Sequence, residues 1–344
     1  MTAEPATHNS QTASGRSEPA TIRDVARSAN LSIASVSRAL NGHANVNPAT
    51  RARIVAVAAE LGYVPNAAAR SLSTARTHAI GVVLPDFHGE FFSELMRGMD
   101  RAASAHGYQL LLSNTHSDNT MATHAITAML GRVDGLVVMA PSFATAKLLR
   151  NMPVRVPMVL ANTGDGTAHH SIRIDNRLGA NSAVVHLLEQ GCRRIVHIGG
   201  PADNIDGHER REGFAAAMRA LAPTQSIVVR DGEFQDSCGD RIVRELLDQG
   251  IEFDGIFAAN DMMALGALHA LRECGIDVPG EVAVIGFDDI PLAHYLALTT
   301  LRVDVAGVGG RAIDRLIAEI SGTAGLPSTE AILPELVIRG STRS

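Results

Sequence analysis

Residues 21–72 read TIRDVARSANLSIASVSRALNGHANVNPATRARIVAVAAELGYVPNAAARSL, and the reading of the whole chain works outward from them. Thr21 is placed to cap a helix, with Asp24 three residues on as in a capping box. Ile22, Val25 and Ala26 make one apolar face, and Ala29–Asn30–Leu31 is a tight turn. Ser32 then caps a second helix, whose Val36, Ala39 and Leu40 recur at helical spacing and point inward. That leaves Ile33, Ala34, Ser35, Ser37 and Arg38 facing outward. The pattern is that of a helix-turn-helix, in which the start of the second helix enters the major groove of DNA. Arg38 can pair bidentately with a guanine there, and Ile33 and Ala34 can touch thymine methyls. Thr21 and the hydroxyls of Ser32, Ser35 and Ser37 suit backbone phosphates. A small helical hairpin with an exposed arginine is the plainer structure that shares this pattern.

Asn47 and Pro48 open a third helix, and Ile54, Val57, Ala58 and Leu61 form its core stripe until Gly62 ends it. Arg51 and Arg53 lie off that stripe, within reach of phosphates. Pro65 prevents continuation, and Asn66 can cap one or two further turns ending at Leu72. A helix that short is marginal alone, so it is expected to form only when something packs on it.

Charge agrees with a basic reader on an acidic body. Residues 1–78 carry eight arginines and four acids, a balance of +4 in a chain whose formal net charge is −6. Such a split suits a DNA-binding module with a separate ligand domain. With 344 residues the chain is long enough for two or three compact units. No apolar run approaches a membrane span. The first twenty residues lack the apolar core of a secretory signal, and their composition predicts a disordered tail. Cys192, Cys238 and Cys274 are far apart with no CxxC, which suggests reduced thiols in a cytoplasmic protein. No metal or cofactor is expected, the adjoining His169–His170 included.

From Ala79 onward, apolar strands alternate with helices: Ala79–Pro85, Tyr108–Asn114, Gly135–Ala140, Pro157–Ala161, Ile172–Ile174, Ile195–Gly199, Ile227–Val229, Gly255–Ala259 and Val282–Gly286 read as strands. The pattern predicts α/β architecture with doubly wound parallel sheets. Ligands of such sheets bind beyond the carboxyl ends of the strands. Candidates are therefore Asp86–Phe92, Asn162, the loop Pro201–Arg210, Phe234, Asn260–Asp261 and Asp288. Carboxylates, amides, one arginine and phenylalanines suit a polyhydroxy ligand, which needs planar hydrogen-bonding groups and an apolar face. Asn260 and Asp261 equally suit the cap of the next helix.

The head motifs TIRDVARSANLSIASVSRALNG, VNPATRARI, ELGYVPN and AARSL resemble the lac-repressor family of bacterial transcription regulators. So do VDGLVVMAP (133–141), ANDMMALGAL (259–268), VAVIGFDD (282–289), LALTTLRVD (296–304) and LPELVIRGST (333–342) in the body. The resemblance implies a helix-turn-helix domain at 21–64, a hinge helix and linker at 65–78, and a ligand-binding and dimerisation body at 79–344. The body would have the bilobed, type I fold of periplasmic sugar-binding proteins, with lobe one at about 79–175 and 303–325 and lobe two at about 176–302 and 326–344. In the hinge, Asn66 would meet the backbone and Ala69, Arg70 and Leu72 the minor groove, Leu72 wedging into the central base step. In the cleft, the resemblance implies effector contacts for Phe91, Phe92, Asn204, Asp206, Arg210, Phe234 and Asp288, and for Asn260 and Asp261, a pair the family also keeps structurally. Where members often carry Asn-Pro ahead of the two aromatics, this chain has His88–Gly89–Glu90.

The function so implied is a cytoplasmic, homodimeric repressor of a carbohydrate-utilisation operon, binding a palindromic operator on double-stranded DNA and responding to a sugar or sugar derivative. A nucleobase or nucleoside effector, or a corepressor, fits the same family. A sugar-binding transport protein would share the body but need a signal peptide and no DNA-reading head. Gly307–Val308–Gly309–Gly310–Arg311–Ala312 matches a dinucleotide fingerprint, yet too little chain follows it for a nucleotide-binding half. No catalytic constellation stands out, and the chain is not read as an enzyme.

Overall fold

The structure is a computed structural model that describes residues 20–41, 45–64, 76–87, 89–116, 118–139, 141–151, 156–162 and 169–343. The chain divides into two compact units between Thr77 and His78. The expectations for Asn66, Ala69, Arg70 and Leu72 lie outside the described residues, as does the one for His88.

Among the described residues the head has three helices, α1 (Ile22–Ala29), α2 (Ile33–Leu40) and α3 (Pro48–Glu60). Asp24 accepts from the Thr21 backbone N–H at 3.0 Å and from its hydroxyl at 2.6 Å. Asn30 adopts the left-handed conformation after α1 (φ 52), one of the few non-glycine residues suited to it. Ser32 Oγ accepts from the Ser35 N–H at 3.1 Å, and Asn47 Oδ1 from Ala49 N–H at 2.9 Å. Gly62, at φ 62, lets the Tyr63 N–H reach back to the Ala58 carbonyl and close α3. Val25, Ala26, Ala29, Val36, Ala39, Ile54 and Ala58 form the core. Leu61, expected in the α3 stripe, is instead exposed: it is the residue at which the helix ends and its side chain leaves the packed face.

The body holds two six-stranded sheets. The first contains β1 (Ala79–Leu84), β2 (Gln109–Asn114), β3 (Gly135–Met139), β4 (Met158–Ala161), β5 (His170–Ile174) and β11 (Thr329–Ile332), in the order β11-β5-β4-β3-β1-β2. The second contains β6 (Ile195–Gly199), β7 (Val228–Asp231), β8 (Gly255–Ala258), β9 (Ala283–Asp288), β10 (Thr299–Arg302) and β12 (Glu335–Val337), in the order β12-β10-β9-β8-β6-β7. Among the described residues all strand pairings within these sheets are parallel except β10–β12. The central strands are buried end to end, as parallel strands covered on both faces must be. The helices are α4 (Glu90–Ala105), α5 (Asn119–Met129), α6 (Phe143–Asn151), α7 (Asn176–Glu189), α8 (Ile205–Leu221), α9 (Asp236–Asp248), α10 (Asp261–Glu273), α11 (Pro291–Tyr295) and α12 (Val305–Ile320). Among the described residues no helix is long and apolar enough to cross a membrane.

Two boundaries differ from the sequence reading. The last transfer between sheets was expected near 325, but Thr329–Ile332 pairs with Ser171–Ile174, so the chain leaves the first sheet only after Ile332. The next three-residue strand then joins β10. Helix α8 begins at Ile205, so the expected loop Pro201–Arg210 is half helix, with Asn204 as its cap. The glycines of 307–312 lie inside α12, not in a phosphate-binding turn. A Cβ on Gly98 of α4 would sit 1.8 Å from the Ala306 carbonyl oxygen, and one on Gly309 would sit 2.3 Å from that of Leu95. These glycines allow α4 and α12 to pack backbone to backbone.

Candidate functional sites

On the head, Ile33, Ala34 and Arg38 are exposed on one side of α2, and Ser35 and Ser37 are half-buried beside them. Arg38 Nε donates to the Ala34 carbonyl at 3.2 Å, which lays the side chain along its own helix. Other expected phosphate contacts are engaged inside the head. Thr21 is held by Asp24, the Ser32 and Ser35 hydroxyls bond each other at 2.9 Å, and Arg53 donates to the Ala29 carbonyl. Arg53 thereby ties α3 to the end of α1, where carbonyls left over by the helix need a donor.

In the body, a cavity of about 480 Å³ opens where strand ends from the two sheets meet. Each sheet order reverses about one strand, β1 in the first and β6 in the second, and a crevice forms beside such a reversal. Pro85 and Asp86 follow β1, Pro141 follows β3, Pro201 and Asn204 follow β6, Phe234 follows β7, Asn260 follows β8 and Asp288 ends β9. Phe91 and Phe92 enter from the first turn of α4, packed edge to face at 5.4 Å. Eight of the nine expected effector residues thus line one cavity: Phe91, Phe92, Asn204, Asp206, Arg210, Phe234, Asn260 and Asp288.

Asp261 is the exception. It is fully buried outside the lining, accepting from the Ile290 N–H at 2.9 Å and the Thr300 hydroxyl at 2.5 Å. Burial, then the nearby Asp288 charge, pushes its carboxyl well above the usual range. It joins the turn after β9 to β10. Asn260 caps α10, its Oδ1 accepting from Met263 N–H, and it also lines the cavity, where its Nδ2 donates to the Phe234 carbonyl.

One helical turn apart on α8, Asp206 and Arg210 project together. Arg210 Nε donates to Asn176 Oδ1 at 2.8 Å and Nη1 to the Ala259 carbonyl. Its Nη2 stands 3.6 Å from Asp288 Oδ1, and the guanidinium lies 3.7 Å above the Phe287 ring. Asp206 accepts from Asn176 at 2.8 Å and from Asn162 at 3.1 Å. Burial raises the Asp206 carboxyl against the pull of Arg210. Burial also pushes Asp288 up to about 7, again against Arg210. Asp288 has φ 112 and Asp289 φ 57, a strained pair for L-residues. Asp289 is clamped at 2.7 Å by both Arg302 and Arg339, which holds the turn with Asp288 facing the cavity. The turn thus combines backbone strain held by ion pairs with a buried carboxylate oxygen, Asp288 Oδ1, that faces the cavity without a hydrogen bond and meets Arg210 only at 3.6 Å.

Residues 21–66 match the model of bacterial regulatory proteins of the lacI family, and residues 184–342 match a periplasmic binding protein-like domain. The HTH-type transcriptional regulator GalS of Salmonella typhimurium is 36% identical over 327 residues, covering 93% of this chain and 96% of its own. The chain belongs to the lacI family of bacterial regulatory proteins. The ribose operon repressor of Escherichia coli is 35% identical over 94% of this chain and 99% of its own. A crystal structure of the lac repressor dimer bound to operator and the anti-inducer ONPF superposes with a TM-score of 0.87 at 28% identity, covering 95% of this chain and all of that one.

In this lacI-family member the sequence reading passed over several cleft residues. Met139, Pro141, Glu233, Gln235, Asp236, Met262 and Ile290 also line the cavity. Pro141 follows one strand and DGEFQDS is a polar run after another, so the strand-end rule applied to every strand reaches Pro141, Glu233, Gln235 and Asp236, whereas Met139 inside β3 and Met262 inside α10 carry no such signal. Asn176 carried no such signal. It is buried at the start of α7 and joins Asp206, Glu209 and Arg210, which makes it the hub that orients the cleft pair. On one flank the two lobes are tied directly: Ile205 N–H donates to the Pro141 carbonyl at 2.6 Å, beside the bridge Ser142–Asn204.

Proposed function

We propose that this protein is a dimeric, effector-controlled repressor that reads a palindromic operator with α2 and senses a small polyhydroxy compound in the body cleft. The observation that carries the reading is the presence in one chain of a helix exposing Ile33, Ala34 and Arg38 and a cavity uniting Asp206, Arg210, Asp288 and three phenylalanines. Hydroxyl pairs would bond the carboxylates and guanidinium while the ring face of the ligand stacks on the aromatics. Exposed Leu111 and Leu112 on the edge strand β2, with Tyr295 and Leu296 at the end of α11, support association of two copies. A coupling of about 1–3 kcal/mol between cleft and head is enough to change operator occupancy several-fold or more. The regulated genes would be those that use the effector, and the protein would act in the cytoplasm.

Selection of duplexes from a random pool by the full chain tests this. A palindrome should be enriched, and its affinity should change when the effector is added. Arg38→Ala should weaken binding to that palindrome by about 1–3 kcal/mol and affect random duplex far less. Equal loss on both would remove Arg38 from base reading.

A further inference from the structure

The cleft lining is strongly acidic. Among the described lining residues six are carboxylates, Asp86, Glu90, Asp206, Glu233, Asp236 and Asp288, against one cationic side chain, Arg210. That arginine is already engaged with Asn176, the Ala259 carbonyl, Asp288 and the Phe287 ring. Helices α4, α8, α9 and α10 all begin at the cavity wall, and a helix N-terminus ordinarily attracts an anion. Here each carries an acid of its own in the first turn: Glu90, Asp206, Asp236 and Asp261. Asn204 and Asn260 also occupy the N–H groups of Gly207 and Met263. The attraction of the four helix ends for an anion is therefore already taken up by the protein. Independently, Asp288 is 4% exposed, lines the cavity, and its Oδ1 has no hydrogen-bond partner among the described residues. A buried acceptor in that state calls for a donor, and an incoming phosphate or carboxylate brings only acceptors and more negative charge.

We infer that the effector is an uncharged, hydroxyl-rich compound, and that Glu90, Glu233 and Asp236 at the cavity wall exclude its phosphorylated and carboxylated relatives. The inference rests on the reading of this cleft as the effector site. It places the effector ahead of any kinase or aldehyde-oxidising step: such reactions consume the signal and do not produce it.

Titration calorimetry on the full chain tests this with matched sets: ribose and ribose 5-phosphate, glucose with glucose 6-phosphate and glucuronate, galactose with galactose 1-phosphate and galacturonate. At least one free sugar should bind, with its charged partners about tenfold weaker or more, because like charges brought together in a partly desolvated site repel. The double variant Glu233→Gln/Asp236→Asn should narrow the ratio between free and charged forms several-fold, as should raised salt. A phosphorylated or carboxylated form binding as tightly as its free sugar overturns the charge inference and leaves the cleft as the effector site. An unchanged ratio in the double variant removes Glu233 and Asp236 from the selection. If no member of any set binds at millimolar concentration, both the inference and the reading of the cleft as a sugar site fall.

Discussion

Replacing Asp288 with asparagine should make the body more stable at alkaline pH while damaging its response to effector. An aspartate free in the unfolded chain loses its proton near 3.8, whereas burial raises Asp288 to about 7. Between those values the folded state holds a proton that the unfolded state has released. Stability therefore falls as pH rises through this window and levels off above about 7. At about 1.36 kcal/mol per pH unit, charging the buried carboxyl costs about 4 kcal/mol at pH 8, from the rise of 3.8 to about 7. Asparagine has the same shape, meets the same backbone strain at φ 112 as the aspartate it replaces, and carries no charge to desolvate. Arg210 loses one partner at 3.6 Å but keeps Asn176, the Ala259 carbonyl and the Asp206 charge. The expected gain is about 2–4 kcal/mol at pH 8, shrinking below about 1 kcal/mol at pH 4.5. Denaturant titration of the body transition at the two pH values measures it, and the difference between parent and variant isolates Asp288 from Asp206 and Asp261, which titrate in the same sense. A variant less stable than the parent at pH 8 would refute the reasoning, because it would mean that the Arg210 attraction outweighs the cost of burial. In the parent, a ligand hydroxyl that donates to Asp288 should bind more tightly as pH rises through about 7, since ionised carboxylate is the better acceptor.

Three other substitutions probe the scaffold. Gly98→Ala puts a methyl 1.8 Å from the Ala306 carbonyl oxygen and should cost about 1–3 kcal/mol or more by forcing α4 and α12 apart; an unchanged denaturation midpoint would mean those helices are not closely docked. Asp261→Ala strips the partners from buried Ile290 N–H and Thr300 hydroxyl and should lower stability by about 2–4 kcal/mol; intact stability with lost effector binding would return Asp261 to the ligand shell. Asn176→Ala should weaken effector binding about tenfold, although it is not a lining residue, by releasing Asp206 and Arg210; unchanged affinity in calorimetry would show that the pair is held without it.

Features that depend on near neighbours along the chain were legible in its residues. The caps at Ser32 and Asn47, the stop at Gly62 and the apolar runs of the central strands were legible because cap geometry and side-chain periodicity are local. The strand-end rule named most of the cleft for the same reason, since each strand end is visible in its own motif. Other features depend on contacts between residues far apart in the chain. Asp261 and Asp288 are both acids at the ends of strands, yet one bonds a turn and a threonine while the other faces the cavity. Which is which depends on β10 and the Arg302 and Arg339 clamps on Asp289. Asn176 became a hub, and Thr329–Ile332 joined the first sheet, through partners many residues away. Burial, and with it the proton affinity of Asp288, is a property of everything packed around a group, so no local pattern carries it.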